Sequence, residues 1–294
     1  MSPRGIALLA VGIALVAASA RAQNAQVVAA PTVYATHDLP ANAVTTFTVR
    51  CSAGYAASSA GISTPAPGTA VLAIAPVGLR GYRFRIGNPV TNGDQRVRVA
   101  VACRKVLSAG SGPRFTLKLK PLKTTFLTVP ARKAASARLA CPPGTVPAHG
   151  GADLDPVGGT AVEAYRVVPG VSLRRQTATL RRFSFSLQNT ATQAKRVALY
   201  GGCLTLTREA GAPRARLHVR ATTYRVLVHP GAQVLTRRCG PGWVSLAAGF
   251  SLRNRVTNTA GAAAVAGGGR WSVVSDAATD TLADVQLACG RVGP

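Results

Sequence analysis

Six cysteines and thirty-five basic residues are the side chains of this sequence numerous and regular enough to do chemistry. The cysteines (Cys51, Cys103, Cys141, Cys203, Cys239 and Cys289) form no C-x-x-C pair. The four histidines, His37, His149, His218 and His229, do not pair with them, so a zinc or dithiol redox site has no ligand set to build on. An even number of unclustered cysteines is instead the pattern of structural disulfides in an oxidising compartment.

The nine acidic residues form no catalytic pair at repeated positions. Asp153-x-Asp155 resembles a fragment of a calcium loop, but further acids and the required glycine are missing. Asp276, Asp280 and Asp284 flank or enter the last strand-like segment, where solubility accounts for them. His37 and Asp38 are sequence neighbours, and successive side chains of a strand point to opposite faces. No nucleophile elbow, phosphate loop or dinucleotide fingerprint occurs. The chain therefore reads as non-enzymatic, with no metal and no cofactor.

The basic residues carry more order. The formal net charge is +26, and Arg83 and Arg85, Arg96 and Arg98, Lys118 and Lys120, Arg214 and Arg216, and Arg253 and Arg255 alternate. Alternation puts two charges on one strand face. Any one such pair has a simple account as the solvent face of an amphipathic strand. Together, barely offset by acids, they create a positive potential suited to anionic envelope polymers or extracellular polyanions. Specific nucleic-acid recognition is not expected, because aromatic residues for base stacking are few and the recurring ones occupy core positions.

The elements that position these residues are set by an internal repeat. Cys51-x-x-Gly54-x6-Gly61, Cys141-x-x-Gly144-x6-Gly151 and Cys239-x-x-Gly242-x6-Gly249 open three units. Phe84 and Cys103, Phe185 and Cys203, and Trp271 and Cys289 close them, with Asn88, Asn189 and Ser275 four residues after the aromatic. Val97, Val99 and Val101 alternate with polar or small residues before Cys103, and Val197 with Leu199 and Val285 with Leu287 repeat the pattern. Period two ending in a buried cysteine predicts a strand in each unit. The glycines mark turns with positive φ or places where two backbones come close. Leu39-Pro40, Val129-Pro130 and Val228-x-Pro230 lead into the next opening cysteine, so each lead-in belongs to the unit that follows. The Ala-rich stretch 131–140 suits a helix by propensity alone, but its counterparts are rich in Val, Thr and Gly, and all three read as strand.

At the N-terminus Arg4 precedes an apolar stretch, Ile6 to Ala18, and then Ala20-Arg21-Ala22. This is the pattern of a cleaved export signal. The expected organisation is a signal peptide over 1–22 and β repeats over 23–110, 111–210 and 211–294. No later segment reaches the length of a membrane helix, so no transmembrane segment is expected in the mature chain.

The simplest pairing is one disulfide per unit, Cys51 with Cys103, Cys141 with Cys203 and Cys239 with Cys289, each closing a loop of about 50 to 60 residues and worth about 4 kcal/mol on the chain-entropy model. The alternative joins Cys103 to Cys141 and Cys203 to Cys239, leaving the outer two cysteines to link neighbouring molecules. The fold class expected is all-β, three tandem β-sandwich-like domains each with an intradomain disulfide. The units resemble immunoglobulin-like sandwiches in architecture only: no Trp follows the first cysteine at the expected distance, and Val101, Gly201 and Leu287 stand where a Tyr would precede the second.

The functional expectation is an exported structural or adhesive protein, secreted, extracellular or at the cell surface, and periplasmic if the host has an outer membrane. A subunit of a surface layer or filament fits, with exposed end strands pairing head to tail in self-assembly. The alternative is a periplasmic or secreted binding module for an anionic polymer through the arginine-rich strand faces.

Overall fold

The computed structural model describes residues 25–29, 32–64, 69–88, 93–108, 115–154, 171–210, 215–252, 257–265, 267–275 and 277–293. The expected signal segment 1–22, Arg214, Arg253, Arg255, Asp276 and residues 155–170 of repeat two, Asp155 among them, lie outside them. The protein is all-β, and the described residues contain no helix. None is long and apolar enough to cross a membrane as a helix.

Repeat one supplies β1 (Ala25–Ala29), β2 (Val33–Leu39), β3 (Ala43–Arg50), β4 (Ala56–Thr64), β5 (Ala70–Val77), β6 (Gly81–Asn88) and β7 (Gln95–Ser108). Repeat two supplies β8 (Phe115–Pro121), β9 (Thr125–Val129), β10 (Ala134–Ala140), β11 (Thr145–Asp153), β12 (Val171–Ala178), β13 (Arg182–Asn189) and β14 (Lys195–Arg208). Repeat three supplies β15 (Arg216–Val228), β16 (Gly231–Arg238), β17 (Val244–Leu252), β18 (Thr257–Val265), β19 (Gly268–Ser275) and β20 (Thr281–Gly293). Residues 134–140 of the Ala-rich stretch are strand β10, because each finds an antiparallel partner on β13 and alternate side chains face inward, while 131–133 form the turn before it, with Arg132 at a φ of 56°. Tertiary pairing overrides alanine's helix propensity there.

The same pairing scheme recurs three times. A long strand ending beyond the second cysteine collects the lead-in on one edge and the post-glycine strand on the other: β1, β2 and β4 on β7; β8, β9 and β11 on β14; β15 and β17 on β20. A second layer has the orders β3-β6-β5, β10-β13-β12 and β16-β19-β18. β15 runs without a break where the other two repeats use two strands. Each post-glycine strand bulges at the same place, between Ala57 and Ser59, Pro147 and His149, and Ser245 and Ala247, which leaves Ser58, Ala148 and Leu246 fully buried. A bulge re-aims one side chain without breaking the strand.

The bracket residues hold these elements in place. Disulfides join Cys51 to Cys103, Cys141 to Cys203 and Cys239 to Cys289, with Cα separations of 5.7, 5.8 and 5.9 Å. Gly54, Gly144 and Gly242 have φ of 79°, 76° and 71°, a region that costs a side chain energy, and they turn the chain directly after the opening cysteine. Asn88 Nδ2 donates to the carbonyls of Leu39 (3.0 Å) and Gly93 (3.1 Å), and Asn189 Nδ2 to those of Val129 (3.0 Å) and Gln193 (2.8 Å). Each asparagine thus ties its repeat to its own lead-in. Ser275 Oγ accepts from the Ala277 amide (3.4 Å), a local bond.

Strand ladders run across the repeat boundaries, which independent domains strung in a row would not provide. β5 of repeat one continues into β11 of repeat two at Ala73 and Asp153. β12 of repeat two continues into β17 of repeat three at Arg175 with Ser251 and Gln176 with Phe250. β18 of repeat three packs against β4 of repeat one. The second glycine of the motif sits at these seams. A Cβ on Gly151 would lie 2.0 Å from the Ile74 carbonyl oxygen, and one on Gly249 would lie 2.4 Å from that of Gln176. Only hydrogen lets the two backbones approach so closely.

Burial follows the same plan. Repeats two and three each have a core of their own, around Phe183, Phe185 and Leu187 and around Trp271, Val273 and Val285. A larger cluster joins the core of repeat one to side chains of the other two, among them Leu117, Leu119, Leu204 and Leu246, with Leu217, Val219 and Val292 packed against it. All three repeats therefore close on one shared core.

Candidate anion-binding surfaces

The described arginines of the pairs read from the sequence occupy three different environments. Arg85 and Arg83 lie on β6 beside the seam with repeat two. Arg85 Nη1 is 3.3 Å from Asp153 Oδ1, with both side chains mostly buried. Arg83 hydrogen-bonds Tyr200, whose hydroxyl burial holds above its ordinary pKa, with the Asp153 charge adding to the effect. This pair braces the seam between repeats one and two. Its charges are matched there by acid and phenol from the next repeat.

Arg96 and Arg98 lie exposed on β7. Arg96 Nε bonds Asp38 Oδ1 at 2.7 Å, an exposed ion pair that salt screens. Arg98 stacks its guanidinium 4.3 Å from the ring centre of Tyr34 on β2. His37, next to Asp38, stacks on Phe47 with ring centres 3.6 Å apart and is pulled below its usual pKa by burial against the opposing Asp38 charge.

Arg216 lies on β15 with its charge in solvent, and the structure gives it company that alternation alone did not reveal. Leu217 and Val219 face the shared core, so Arg216, His218 and Arg220 share the outer face of β15. His218 pairs with Arg291 and Arg220 with Cys289 on β20, which brings Arg291 onto that face. The two guanidiniums stack on one indole, Arg220 at 4.5 Å and Arg291 at 4.8 Å from the ring centre of Trp243. Cation–π stacking holds each planar group in place while its N–H edge stays open to solvent. The available signals were the continuation of Arg216 to Arg220 at every second residue and the position of Arg291 two residues after the closing cysteine.

That position is a repeated one. Lys105, two residues after Cys103, lies 4.8 Å from the ring centre of Tyr55, which follows Gly54 as Trp243 follows Gly242. Repeat two has Thr205 and Thr145 at the same places, paired across β11 and β14, but Lys118 and Lys120 stand exposed on β8 opposite Thr205 and Cys203.

Five of the acids have partners elsewhere on the molecule. Asp38 and Asp153 hold the arginines named above, Asp284 lies 3.6 Å from Arg225, Asp280 lies 2.8 Å from His229 Nδ1, and Asp94 accepts from the Ala41 amide. Among the described residues no group of three or more His, Cys, Asp or Glu comes together as a metal site.

One arginine is buried outright. Arg104, directly after Cys103, points into the shared core. Its Nε donates to the Ser245 carbonyl (2.7 Å), Nη1 to the Cys103 carbonyl (2.8 Å), and Nη2 to Ser245 Oγ (2.8 Å) and the Val265 carbonyl (3.1 Å). Burial pulls its pKa down to about 10, so it remains charged at neutral pH. Leu204 and Gly290 occupy the matching positions in the other repeats, and a Cβ on Gly290 would already meet Leu246 at 2.4 Å. The three repeats thus fill one core with a large, a medium and an absent side chain. His149, at the seam between repeats one and two, is fully buried edge-on to Tyr82 (ring centres 4.8 Å apart), and neither ring nitrogen has a protein hydrogen-bond partner. Burial pushes its pKa down to about 3, so the imidazole is neutral.

No protein-family model matches this chain, and no curated protein matches it in sequence.

Proposed function

We propose that the protein is an exported, non-enzymatic binding module for anionic polymers, with the disulfide corner of repeat three as its principal contact. The observation that carries this reading is the stacking of Arg220 and Arg291 on Trp243 beside Arg216. Guanidiniums fixed by stacking present pre-oriented donors to carboxylate, sulfate or phosphate groups, which lowers the ordering cost of binding. Since the stacked guanidiniums cover the ring, the indole is not a platform for bases, and recognition rests on the charged groups of the polymer. In this reading the repeats are sandwich-like units, immunoglobulin-like in layer architecture only. Three disulfides suit a secreted, cell-surface or periplasmic setting.

The structural or filament reading draws on the strands at the outer ends of the second layers, β3, β10 and β16. Against it stands the packing of β18 on β4, which sets repeat three against repeat one within one molecule. The binding reading is therefore preferred.

The test is the double charge reversal Arg220→Glu with Arg291→Glu, titrated with dextran sulfate over a range of salt. Affinity should fall at least tenfold, and the slope of log affinity against log salt should become shallower, because fewer counterions are released. Unchanged affinity, or binding insensitive to salt, would falsify the proposal.

A further inference from the structure

We infer that the three disulfide corners form one continuous belt around the shared core, and that its ligand is a single flexible linear polyanion wrapped along it. The inference rests on the anion-binding reading and adds the path of the ligand.

The register dictates the belt. In β7, Arg104 and Val106 face the shared core; in β14, Leu204 faces it and Leu206 packs against it; in β20, Gly290 and Val292 take the same inward places. Val27, the pair Leu117 and Leu119, and the pair Leu217 and Val219 face it from β1, β8 and β15. Alternate residues of a strand point to opposite faces, so the residues between these lie on the other face of each strand, the one that carries its disulfide. They are Lys105 in repeat one, Lys118 and Lys120 in repeat two, and Arg216, Arg220 and Arg291 in repeat three.

Neighbouring repeats touch through these strands, β8 with β4 and β7, β15 with β14, and β1 with β17 and β20. Three patches packed inward on one core and touching pairwise leave their outer faces arranged around it. Charges at alternate positions of one strand are about 6.6 Å apart, a spacing that meets successive anionic groups of a chain polymer. Among the described residues, Leu107, Thr116, Thr205, Thr207 and His218 share this face with them, and Glu209 follows just beyond the end of β14. Basic corners set around a small body and separated mostly by uncharged side chains favour a ligand able to bend. Duplex DNA, stiff over about 50 nm, cannot follow such a path.

Inorganic polyphosphate of defined lengths is the probe, titrated against the whole protein at fixed salt. A chain long enough to reach a second and third corner should bind more tightly per phosphate than one that covers a single corner, by on the order of tenfold or more, because each later contact is intramolecular. Lys118→Glu with Lys120→Glu should cost long chains more than short ones. Duplex DNA should show no such gain with length. All of these side chains are solvent-facing, and a thermal melt of each variant confirms its fold. Equal affinity per phosphate at every length would overturn the belt while leaving the anion-binding reading intact, as would an equal effect of the Lys118 and Lys120 reversals on short and long chains or a matching gain with duplex DNA. Failure of every chain to bind would remove both.

Discussion

The seams between repeats and the corner of repeat three use the same residue type for opposite ends. At the seam Arg85 meets Asp153, and Arg104 is enclosed by carbonyl and hydroxyl oxygens of repeat three. At the corner Arg220 and Arg291 are held by an indole and keep their charge in solvent. An arginine matched by oxygen from another repeat is a fastener, and one matched only by an aromatic ring is available to a ligand. The partner, rather than the arginine, decides which.

The largest effect should come from exchanging the fastener for its repeat-two counterpart. Arg104→Leu leaves the Ser245 and Cys103 carbonyls without their donor and removes a side chain that fills the space between repeats. Two orphaned buried acceptors and a partial cavity amount to about 4 kcal/mol. Arg220→Leu at the corner should cost about 0.5 kcal/mol or less. Urea denaturation of both variants measures the gap. Similar losses at the two sites would erase the distinction between seam and corner.

Much of this was legible in the sequence, and what was not has a common cause. Cysteines, positive-φ glycines, buried aromatics and alternating valines report local geometry within one repeat, so they could be read in order along the chain. The seams could not, because Gly151 is required by a carbonyl at Ile74 and Gly249 by one at Gln176, each from the preceding repeat. A glycine's spacing shows that something is close and leaves open what. Arg83 and Arg85 alternate just as Arg214 and Arg216 do; only the fold brings Asp153 and Tyr200 to the first pair. Trp243 and Arg291 are separated by most of a repeat and meet only because β17 and β20 pair in register.

The seam should also show in the acid limb of stability. His149 is neutral when folded, with a pKa pushed down by burial to about 3, and takes up a proton on unfolding once pH falls below its ordinary value of 6.5. Its contribution is fully present above 6.5 and is lost progressively as pH falls toward 3. Between pH 7 and pH 4 that loss is about 3 kcal/mol. His149→Ala, which places at the seam the residue found at Ala247 in repeat three, should flatten the fall by that amount even if it lowers stability at pH 7. Guanidinium denaturation at the two pH values gives the difference directly, and an unchanged acid limb would mean that the imidazole becomes solvated before the seam opens.

Asp153→Asn converts a seam arginine toward the corner state and so tests the comparison at its weakest point. The mutation keeps the side-chain shape, removes the charge that holds Arg85, and raises the net positive charge by one. Because both partners are mostly buried, stability should fall by more than an exposed pair is worth, about 1 to 2 kcal/mol. Polyanion affinity should rise by about two- to threefold, since a released guanidinium adds a phosphate or sulfate contact. The two readouts separate the roles: a stability loss without an affinity gain would show that Arg85 stays fixed by packing and by its remaining neighbours at the seam. An affinity gain would show that the acid supplied by repeat two is what keeps this arginine from the ligand.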